Sequence, residues 1–565
     1  MRIRFLDFAR NDKCLVLAAA LLLAVSCTEK PYGAVPSAYQ LEWQAMEMNM
    51  FCHFGPNTFT GLEWGEGTEA EDIFNPTDLD CRQWAATAKA AGFKGIIITA
   101  KHHDGFCLWP SPVSSHTVAQ SSWRDGQGDV LKELSDACRE YGLKFGVYIS
   151  PWDRNDPHYG TPEYNNIFVQ TLESALGGAY GPVYEQWFDG ACGEGPNGKK
   201  QEYDWPLFNG TVLSLQPQAL IFSDVGPGCR WVGNEEGFAG RTNWGTLNSE
   251  GFVPGRESPS RESLNEGDRD GSHWIPAETD VSIRPGWFWR ASETPRVKSV
   301  QHLLKIYYES VGRNSLLLLN VPPDDRGHID PVDSTRLMEF RSALDAIFAD
   351  NLARDARIRR KGDTWTVTLD GEKAFNRLVL QEDLTLGQRI AAFTVEALTD
   401  GEWKEIACET TVGFKRILLL PDVTASAVRI RIDESLAKPF LTQIALYQDD
   451  IYREITEEED SGTVHGASEV QVIDLGKVRS ISGFYYTPAK RGRGGVIIDY
   501  RLESSADGKD WTPVCDRMFD NIVNNPVRAE VRIPVTGRYL RLTPLRTSTE
   551  TTYGISGFGA LDTEP

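Results

Sequence analysis

The chain has 565 residues, of which 41% are hydrophobic and 24% charged, and its formal net charge is −22. A chain of this length exceeds what one hydrophobic core supports, so we expect two to four domains. The acidic balance repels phosphate backbones and disfavours nucleic acid as a partner. The 10 cysteines show no CxxC spacing, which argues against a zinc ribbon and against a dense disulfide framework.

Residues 1–27 have the pattern of an export signal. Basic residues precede an apolar run, Cys14–Val25, which is too short to span a bilayer comfortably as a permanent helix. The ending Ala24–Cys27 resembles a bacterial lipobox, in which Cys27 would carry the lipid anchor. Ala24 departs from the usual Leu, so simple signal cleavage is the alternative. We expect export to the periplasm or the outer membrane, without an integral membrane span.

Residues 28–352 alternate short apolar runs with amphipathic segments. The apolar runs predict strands at Met48–Phe54, Phe93–Ala100, Lys144–Ser150, Glu185–Phe188, Ala219–Ser223 and Ser315–Val321. The amphipathic segments predict helices at Cys81–Ala91, Asp129–Tyr141, Asn165–Leu176, Asp204–Leu215, Val297–Val311 and Asp330–Leu352. This alternation predicts a (β/α)8-like barrel of the TIM type, with a doubly wound open sheet as the alternative. Between Gly240 and Pro295 the composition indicates long loops or an irregular part of the barrel.

The rest of the chain is predicted to be β-structure. Short alternating strands with turn signals indicate two β-sandwich modules, at residues 353–452 and 460–565. The second resembles discoidin-type (coagulation factor 5/8 type C) domains in Ile473–Gly476, Asp507–Trp511 and Arg538–Leu542. Such domains often bind carbohydrate and are often only structural, so both interpretations stay open. So does a structural calcium ion in these modules.

Acidic residues directly after strands are the candidates for chemistry, because barrel sites form at the carboxyl ends of the strands. Asp189 ends one apolar run and precedes Gly190, where the chain can turn away at once. Asp224 ends the next run and competes with it. A lone Asp at such a junction is more often a helix cap or a turn residue.

Glutamates in loops are the second group of candidates. Glu235 and Glu236 follow an aromatic and glycine-rich segment, where partial burial would raise a carboxyl pKa as acid catalysis requires. A solvated acidic turn is the plainer interpretation of this segment. The residues alone do not choose between Glu235 and Glu236. Glu63 and Glu266 are further candidates.

Three predicted strand ends carry imidazole or phenol groups. His53 follows the first, His102 and His103 the second, and Tyr148 lies at the third. These groups suit sugar hydroxyls, and imidazoles also suit metal ions. The nine histidines show no His-x-His or His-x-x-x-His spacing, and adjacent histidines on a strand would point to opposite faces. We therefore predict no metal site.

Together these segments resemble glycoside hydrolase family 29, the retaining α-L-fucosidases, from about His53 to Pro323. The matching motifs, in family order, are His53–Gly55, Lys101–Phe106, Tyr148 with Ser150–Trp152, Trp187–Gly190 and Leu319–Pro323. The resemblance implies that Asp189 is the nucleophile and that no cofactor is needed.

The resemblance also implies a sugar pocket. Its residues would bind fucose hydroxyls or line their pocket: His53, Trp64, His102, His103 and Tyr148. Trp287 would pack near the sugar methyl group, an apolar wall that disfavours galactose because its 6-hydroxyl would lack a partner.

Two motifs point to a subgroup of that family. Gly190–Gly195 and Gly233–Glu235 resemble the members that cleave α-1,3- and α-1,4-linked fucose from branched, Lewis-type glycans. In that subgroup the glutamate directly after Asn is the acid/base, which selects Glu235 over Glu236. Fucosylated glycans are then the expected partners.

Three other functions remain in view. A non-catalytic glycan-binding lipoprotein would suit the β-modules, and a metal-dependent barrel hydrolase would suit the histidines. The third is a barrel glycosidase for a related sugar such as α-L-galactose, which differs from L-fucose only in the substituent at carbon 6.

Overall fold

The computed structural model of the protein describes residues 30–454, 462–490 and 493–562. The predicted export signal and Cys27 lie outside the described residues. Among the helices that are described, none is long and apolar enough to cross a membrane.

Eight parallel strands close into a barrel, which confirms the predicted barrel and excludes the open sheet. The strands are β1 (Met48–Cys52), β2 (Gly95–Lys101), β3 (Lys144–Ile149), β4 (Glu185–Trp187), β5 (Leu220–Ser223), β6 (Cys229–Trp231), β9 (Ala277–Ser282) and β10 (Leu316–Asn320), with the hairpin β7 (Thr246–Leu247) and β8 (His273–Trp274) inserted between β6 and β9. Around the barrel their order is β1-β10-β9-β6-β5-β4-β3-β2.

The helices lie between the barrel strands and at their two ends. They are α1 (Ala38–Gln44), α2 (Pro56–Thr60), α3 (Cys81–Ala91), α4 (Val130–Tyr141), α5 (Pro162–Leu176), α6 (Trp205–Leu215), α7 (Arg261–Glu266), α8 (Val300–Glu309) and α9 (Pro331–Ile347). Asp80 and Asp129 cap the N-termini of α3 and α4, while Gly92 and Gly142 end them in the left-handed conformation. Local capping chemistry is why these two helices match their predicted bounds closely.

Two barrel strands escaped prediction. β6 has only three residues, and β9 lies in the stretch that was expected to be loops or irregular barrel. β9 reads Ala-Glu-Thr-Asp-Val-Ser, and all six residues are buried. Its two buried acidic side chains interrupt any apolar run, so a search for apolar runs does not detect the strand.

The barrel interior is polar at its base. The Trp43 indole, from α1, donates a hydrogen bond to Glu185 Oε2 at 2.8 Å, and the Trp187 indole donates one to Glu278 Oε1 at 2.8 Å. A buried carboxyl without such a donor would be strongly unfavourable. Helix α1 therefore closes the barrel at the end opposite the mouth.

Two β-modules follow the barrel, as predicted. The first contains β11 (Arg357–Lys361), β12 (Thr364–Glu382), β13 (Ile390–Thr399), β14 (Glu402–Glu409), β15 (Arg416–Ser435) and β16 (Leu441–Tyr447). The second contains β17 (Thr463–Gly466), β18 (Gln471–Pro488), β19 (Ile497–Ser505), β20 (Thr512–Met518), β21 (Ala529–Thr547) and β22 (Thr552–Leu561). Each module has its own cluster of buried hydrophobic side chains, so each has a core separate from that of the barrel.

Candidate active site

A cavity of about 90 Å³ opens at the carboxyl end of the barrel. The eight side chains to which the family resemblance assigns a role all line it: His53, Trp64, His102, His103, Tyr148, Asp189, Glu235 and Trp287. The rest of the lining is Phe51, Glu63, Trp187, Ala191, Asp280, Asn521 and Asn524. Strand ends from most of the barrel, and one loop of the C-terminal module, therefore converge on a single pocket.

Asp189 stands just beyond β4, with its carboxylate held by two donors. The Tyr148 hydroxyl donates to Oδ2 at 3.0 Å, and the Ala191 N–H donates to Oδ1 at 2.8 Å. Burial raises the pKa of Asp189 to about 6, and the negative charge of Asp224 acts in the same direction. The side chain keeps 29% of its surface exposed, so one edge of the carboxylate faces the pocket.

Gly190 is required by a close approach. A Cβ at this position would lie 2.5 Å from either carboxylate oxygen of Asp224. The chain can turn behind Asp189 only because this residue has no side chain.

Glu235 follows β6 and reaches the same pocket. Its Oε2 accepts hydrogen bonds from the Trp287 indole at 2.7 Å and from Asn521 Nδ2 at 2.9 Å. Burial, with smaller contributions from the charges of Asp189 and Glu63, raises the pKa of Glu235 to about 8 in spite of these donors. Glu235 is thus a carboxyl that keeps its proton at neutral pH.

The other acidic candidates are placed differently from Asp189 and Glu235. Glu236 is exposed, and its backbone N–H donates to Asn234 Oδ1 at 3.1 Å. Glu63 does line the pocket, but its carboxylate pairs with Arg290 and accepts the Trp287 N–H. Asp224 and Glu266 are outside the lining that the described residues form around this cavity.

The hydrogen-bond network fixes the tautomer of His53. Asn320 Nδ2 donates to Ser282 Oγ at 2.9 Å and to the Trp287 carbonyl at 2.8 Å, so its Oδ1 accepts from His53 Nδ1–H at 2.9 Å. Burial lowers the pKa of His53 to about 3. The ring is therefore neutral, and Nε2 is left as an acceptor.

His102 and His103 lie side by side, with ring centroids 4.2 Å apart. The expectation that they point to opposite faces is wrong, because β2 ends at Lys101 and the strand alternation ends with it. Ser150 donates to the Trp152 carbonyl and so accepts from His103 Nδ1–H at 2.8 Å. Burial lowers the pKa of both histidines, so both act as neutral hydrogen-bonding groups.

Two tryptophans line the pocket beside its histidines. The Trp64 ring packs edge-on against His103 with centroids 6.1 Å apart, and the Trp287 ring lies 4.9 Å from that of His53. Flat aromatic walls with hydrogen-bonding groups between them suit a sugar, which has apolar C–H faces and polar edges.

Asp280 lines the pocket and was missed because β9 itself was missed. The residue is 3% exposed, and its Oδ1 is buried without a hydrogen-bond partner among the described residues. Burial and the charge of Glu235 raise its pKa well above the usual value. A neutral carboxyl here can donate a hydrogen bond to a bound hydroxyl. The signal in the sequence was the alternation of acidic residues in Glu278-Thr279-Asp280.

In the described part of the chain, three metal-ligating side chains meet in the barrel interior: Glu185, Cys229 and Glu278, whose ligating atoms lie within 4.8 Å of one another. Burial raises the pKa of Glu185 to about 7 and that of Glu278 well above its usual value. A proton shared between the two carboxyls satisfies this arrangement together with the two indole donors.

Two carboxyls in different surroundings, at the carboxyl end of a closed parallel barrel and among imidazoles and tryptophans, define a glycoside hydrolase. The sequence model of the alpha-L-fucosidase family matches residues 32–345, and that of the F5/8 type C domain matches residues 459–556. The chain belongs to the α-L-fucosidase family, glycoside hydrolase family 29. The discoidin-type resemblance of the last module is confirmed by the same comparison.

Relatives and solved structures agree with this. The chain is 43% identical over 454 residues to alpha-L-fucosidase 1 of Arabidopsis thaliana, covering 74% of this chain and 88% of the relative. A family 29 glycoside hydrolase from an unknown rumen bacterium superposes with a TM-score of 0.72 at 38% identity, covering 94% of this chain and all of that one. A putative alpha-L-fucosidase from Bacteroides ovatus gives 0.68 at 43% identity, covering 93% and 95%.

A further solved relative contains bound fucose. A Ruminococcus gnavus fucosidase of this family, in complex with fucose, has a TM-score of 0.67 and 30% identity, covering 75% of this chain and 97% of its own.

Proposed function

We propose that this α-L-fucosidase hydrolyses terminal fucosides by double displacement with retention of configuration, with Asp189 as nucleophile and Glu235 as acid/base. The observation that carries the proposal is the contrast between the two carboxyls of one pocket. Asp189 faces the cavity and is ionised at neutral pH, whereas Glu235 is protonated at the same pH. Paired carboxyls with separated pKa values are the requirement of this reaction.

The chemistry follows from those protonation states. Asp189 attacks the anomeric carbon while Glu235 gives its proton to the departing glycosidic oxygen, leaving a fucosyl ester on Asp189. Glu235, now ionised, takes a proton from water, and the resulting nucleophile cleaves the ester to free fucose and Asp189. Tyr148 donates to Asp189 and aligns it for attack.

The pH dependence of kcat/KM is expected to be bell-shaped. Asp189 must be ionised, so activity falls as the pH drops below about 6. Glu235 must be protonated, so activity falls as the pH rises above about 8. The two groups interact, so the measured limbs belong to the pair. Initial rates with an aryl fucoside from pH 4 to 10 check this, and a rate still rising at high pH would contradict it.

Stereochemistry tests the mechanism. We expect proton NMR of the first minutes of hydrolysis to show α-L-fucose before the β-anomer appears by mutarotation. First appearance of the β-anomer would mean a single inverting displacement, and the assignment of Asp189 as nucleophile would then fail.

We propose that the preferred substrates carry α-1,3- or α-1,4-linked fucose on branched, Lewis-type glycans. The support is the pair of motifs Gly190–Gly195 and Gly233–Glu235. On a panel of α-1,2-, α-1,3-, α-1,4- and α-1,6-fucosyl oligosaccharides, kcat/KM should be higher for the α-1,3 and α-1,4 linkages by roughly tenfold or more. A preference for α-1,2 or α-1,6 linkages would refute this specificity.

An α-L-galactoside belongs in the same panel. Trp287 lines the pocket, and if it packs near the sugar methyl group as the family resemblance implies, the extra 6-hydroxyl of galactose would lack a partner there. We expect the aryl α-L-galactoside to be hydrolysed more slowly than the fucoside. Equal rates would favour the broader sugar specificity.

We also propose that the enzyme is exported as a lipoprotein anchored through Cys27, on the basis of the basic and apolar pattern of residues 1–27. Labelled palmitate should enter the mature protein in a bacterial host, and Cys27→Ser should abolish the labelling. Unlabelled wild-type protein would mean simple signal cleavage.

A further inference from the structure

A loop of the C-terminal module reaches the mouth of the barrel. The loop is the segment 519–528 between β20 and β21. It places Asn521 in the wall of the active-site cavity, where Nδ2 donates to Glu235 Oε2 at 2.9 Å. The two residues are 286 positions apart in the sequence, so the contact depends on docking of the module against the barrel.

The loop is held against the barrel by polar contacts on both sides of Asn521. Asn525 Nδ2 donates to the Pro285 carbonyl at 2.8 Å, in the segment that carries Trp287. The neighbouring Asp520 is half-buried, and its carboxyl lies near the Trp64 backbone N–H, which lowers its pKa against the larger effect of burial. Both anchors lie on barrel segments that line the pocket, so the loop is fixed relative to the sugar site.

The backbone at the tip explains why asparagine stands there. Asn521 has φ of 53°, in the left-handed region that asparagine tolerates better than most residues. Its carbonyl accepts the N–H groups of Asn524 and Asn525 at 3.1 and 2.9 Å. This closed turn leaves the amide side chain pointing outward at Glu235.

The pattern of donors decides which oxygen of Glu235 carries the proton. Oε2 accepts from Trp287 Nε1 and from Asn521 Nδ2, and neither nitrogen can accept a proton in return. Two donors on Oε2 favour the acidic proton on Oε1, for which the described residues show no hydrogen bond. An acid catalyst needs its proton on the oxygen that faces the leaving group.

We propose that the C-terminal module is a structural part of the catalytic site, and that its Asn521 is a positioning residue that orients Glu235 for proton transfer to the leaving group. This rests on the proposed function of Glu235. Such a module differs from a detached glycan-binding domain, because moving the module away from the barrel mouth would remove one hydrogen-bond donor to Glu235.

The test is Asn521→Gly, which deletes the amide and suits the left-handed backbone. For an oligosaccharide, whose leaving group needs protonation, kcat/KM should fall roughly tenfold. For 2,4-dinitrophenyl fucoside, whose leaving group needs none, it should fall less than about twofold. The amide stabilises the ionised form of Glu235, so its loss should also move the basic limb of the pH profile to higher pH.

Two variants complete the experiment. Val523→Ala, at an exposed position of the same loop, should leave both substrates and the pH profile unchanged. Asn521→Asp keeps the shape and tolerates the backbone but cannot donate when it is ionised, and at a pH where it is ionised it should reproduce the leaving-group dependence. A melting curve for each variant reports folding independently of activity.

The inference would be overturned if Asn521→Gly lowered kcat/KM equally for both substrates without moving the basic limb of the pH profile, or did not lower it at all. The proposed function fails separately. If Glu235→Gln retains full activity on the oligosaccharide, Glu235 is not the acid. If Glu235→Gln shows the leaving-group dependence and Asn521→Gly does not, only the inference about the module falls.

Discussion

Asp189→Ala is expected to lower kcat/KM for an aryl α-L-fucoside by roughly 10⁴-fold or more, since loss of the nucleophile removes the covalent route entirely. The fold should survive, because Asp189 projects from the end of β4 into the cavity and not into the packed interior. Release of nitrophenol from a nitrophenyl fucoside, with a melting curve alongside, measures both.

Azide should partly restore the Ala variant. A small anion can occupy the space of the carboxylate and attack the anomeric carbon from the same side, giving β-fucosyl azide. Asp224→Asn is the matched control, since Asp224 follows the neighbouring strand and its charge raises the Asp189 pKa. It should stay active and move the acidic limb to lower pH. Full activity of Asp189→Ala would contradict the assignment.

Glu235→Gln is expected to reduce kcat/KM on fucosyl oligosaccharides by roughly 10²- to 10⁴-fold, the range that general acid catalysis contributes. The amide matches the carboxyl in size but cannot deliver a proton. The loss should be much smaller with 2,4-dinitrophenyl fucoside, and the basic limb of the pH profile should disappear.

Glu236→Gln is the control for that substitution. Glu236 is adjacent in sequence and exposed, so its replacement should change neither the rate nor the pH profile. The reverse pattern, with Glu236→Gln inactive and Glu235→Gln unaffected, would transfer the acid/base assignment to Glu236.

Most barrel strands could be predicted because each carries a run of apolar side chains, although β4 also buries Glu185 and Gln186. Predicted and observed bounds agree within about three residues for β1 to β5 and β10. β9 was missed because its buried residues include Glu278 and Asp280, and the donor to the Glu278 carboxyl is Trp187 of β4. Hydrophobic periodicity and composition predict where apolar side chains are buried. They cannot predict a buried carboxyl whose hydrogen-bond donor is a tryptophan far along the chain.

The pocket shows the same division. His53 and Asp189 stand just after predicted strands, where the barrel geometry makes their convergence predictable. Glu235 follows β6, which was not predicted, and it was selected only through the resemblance to a subgroup of the family. Asn521 does not belong to the barrel at all. Its position depends on how a separate module docks, and no residue spacing within one domain encodes that contact.

The measurement that tests the account most directly is trapping of the fucosyl ester. The enzyme is incubated with 2-deoxy-2-fluoro-L-fucosyl fluoride, digested with a protease, and analysed by mass spectrometry. We expect one fluorofucosyl group per chain, attached to Asp189. A label on Asp224 or Glu235, or turnover that never accumulates an ester, would contradict the proposed mechanism.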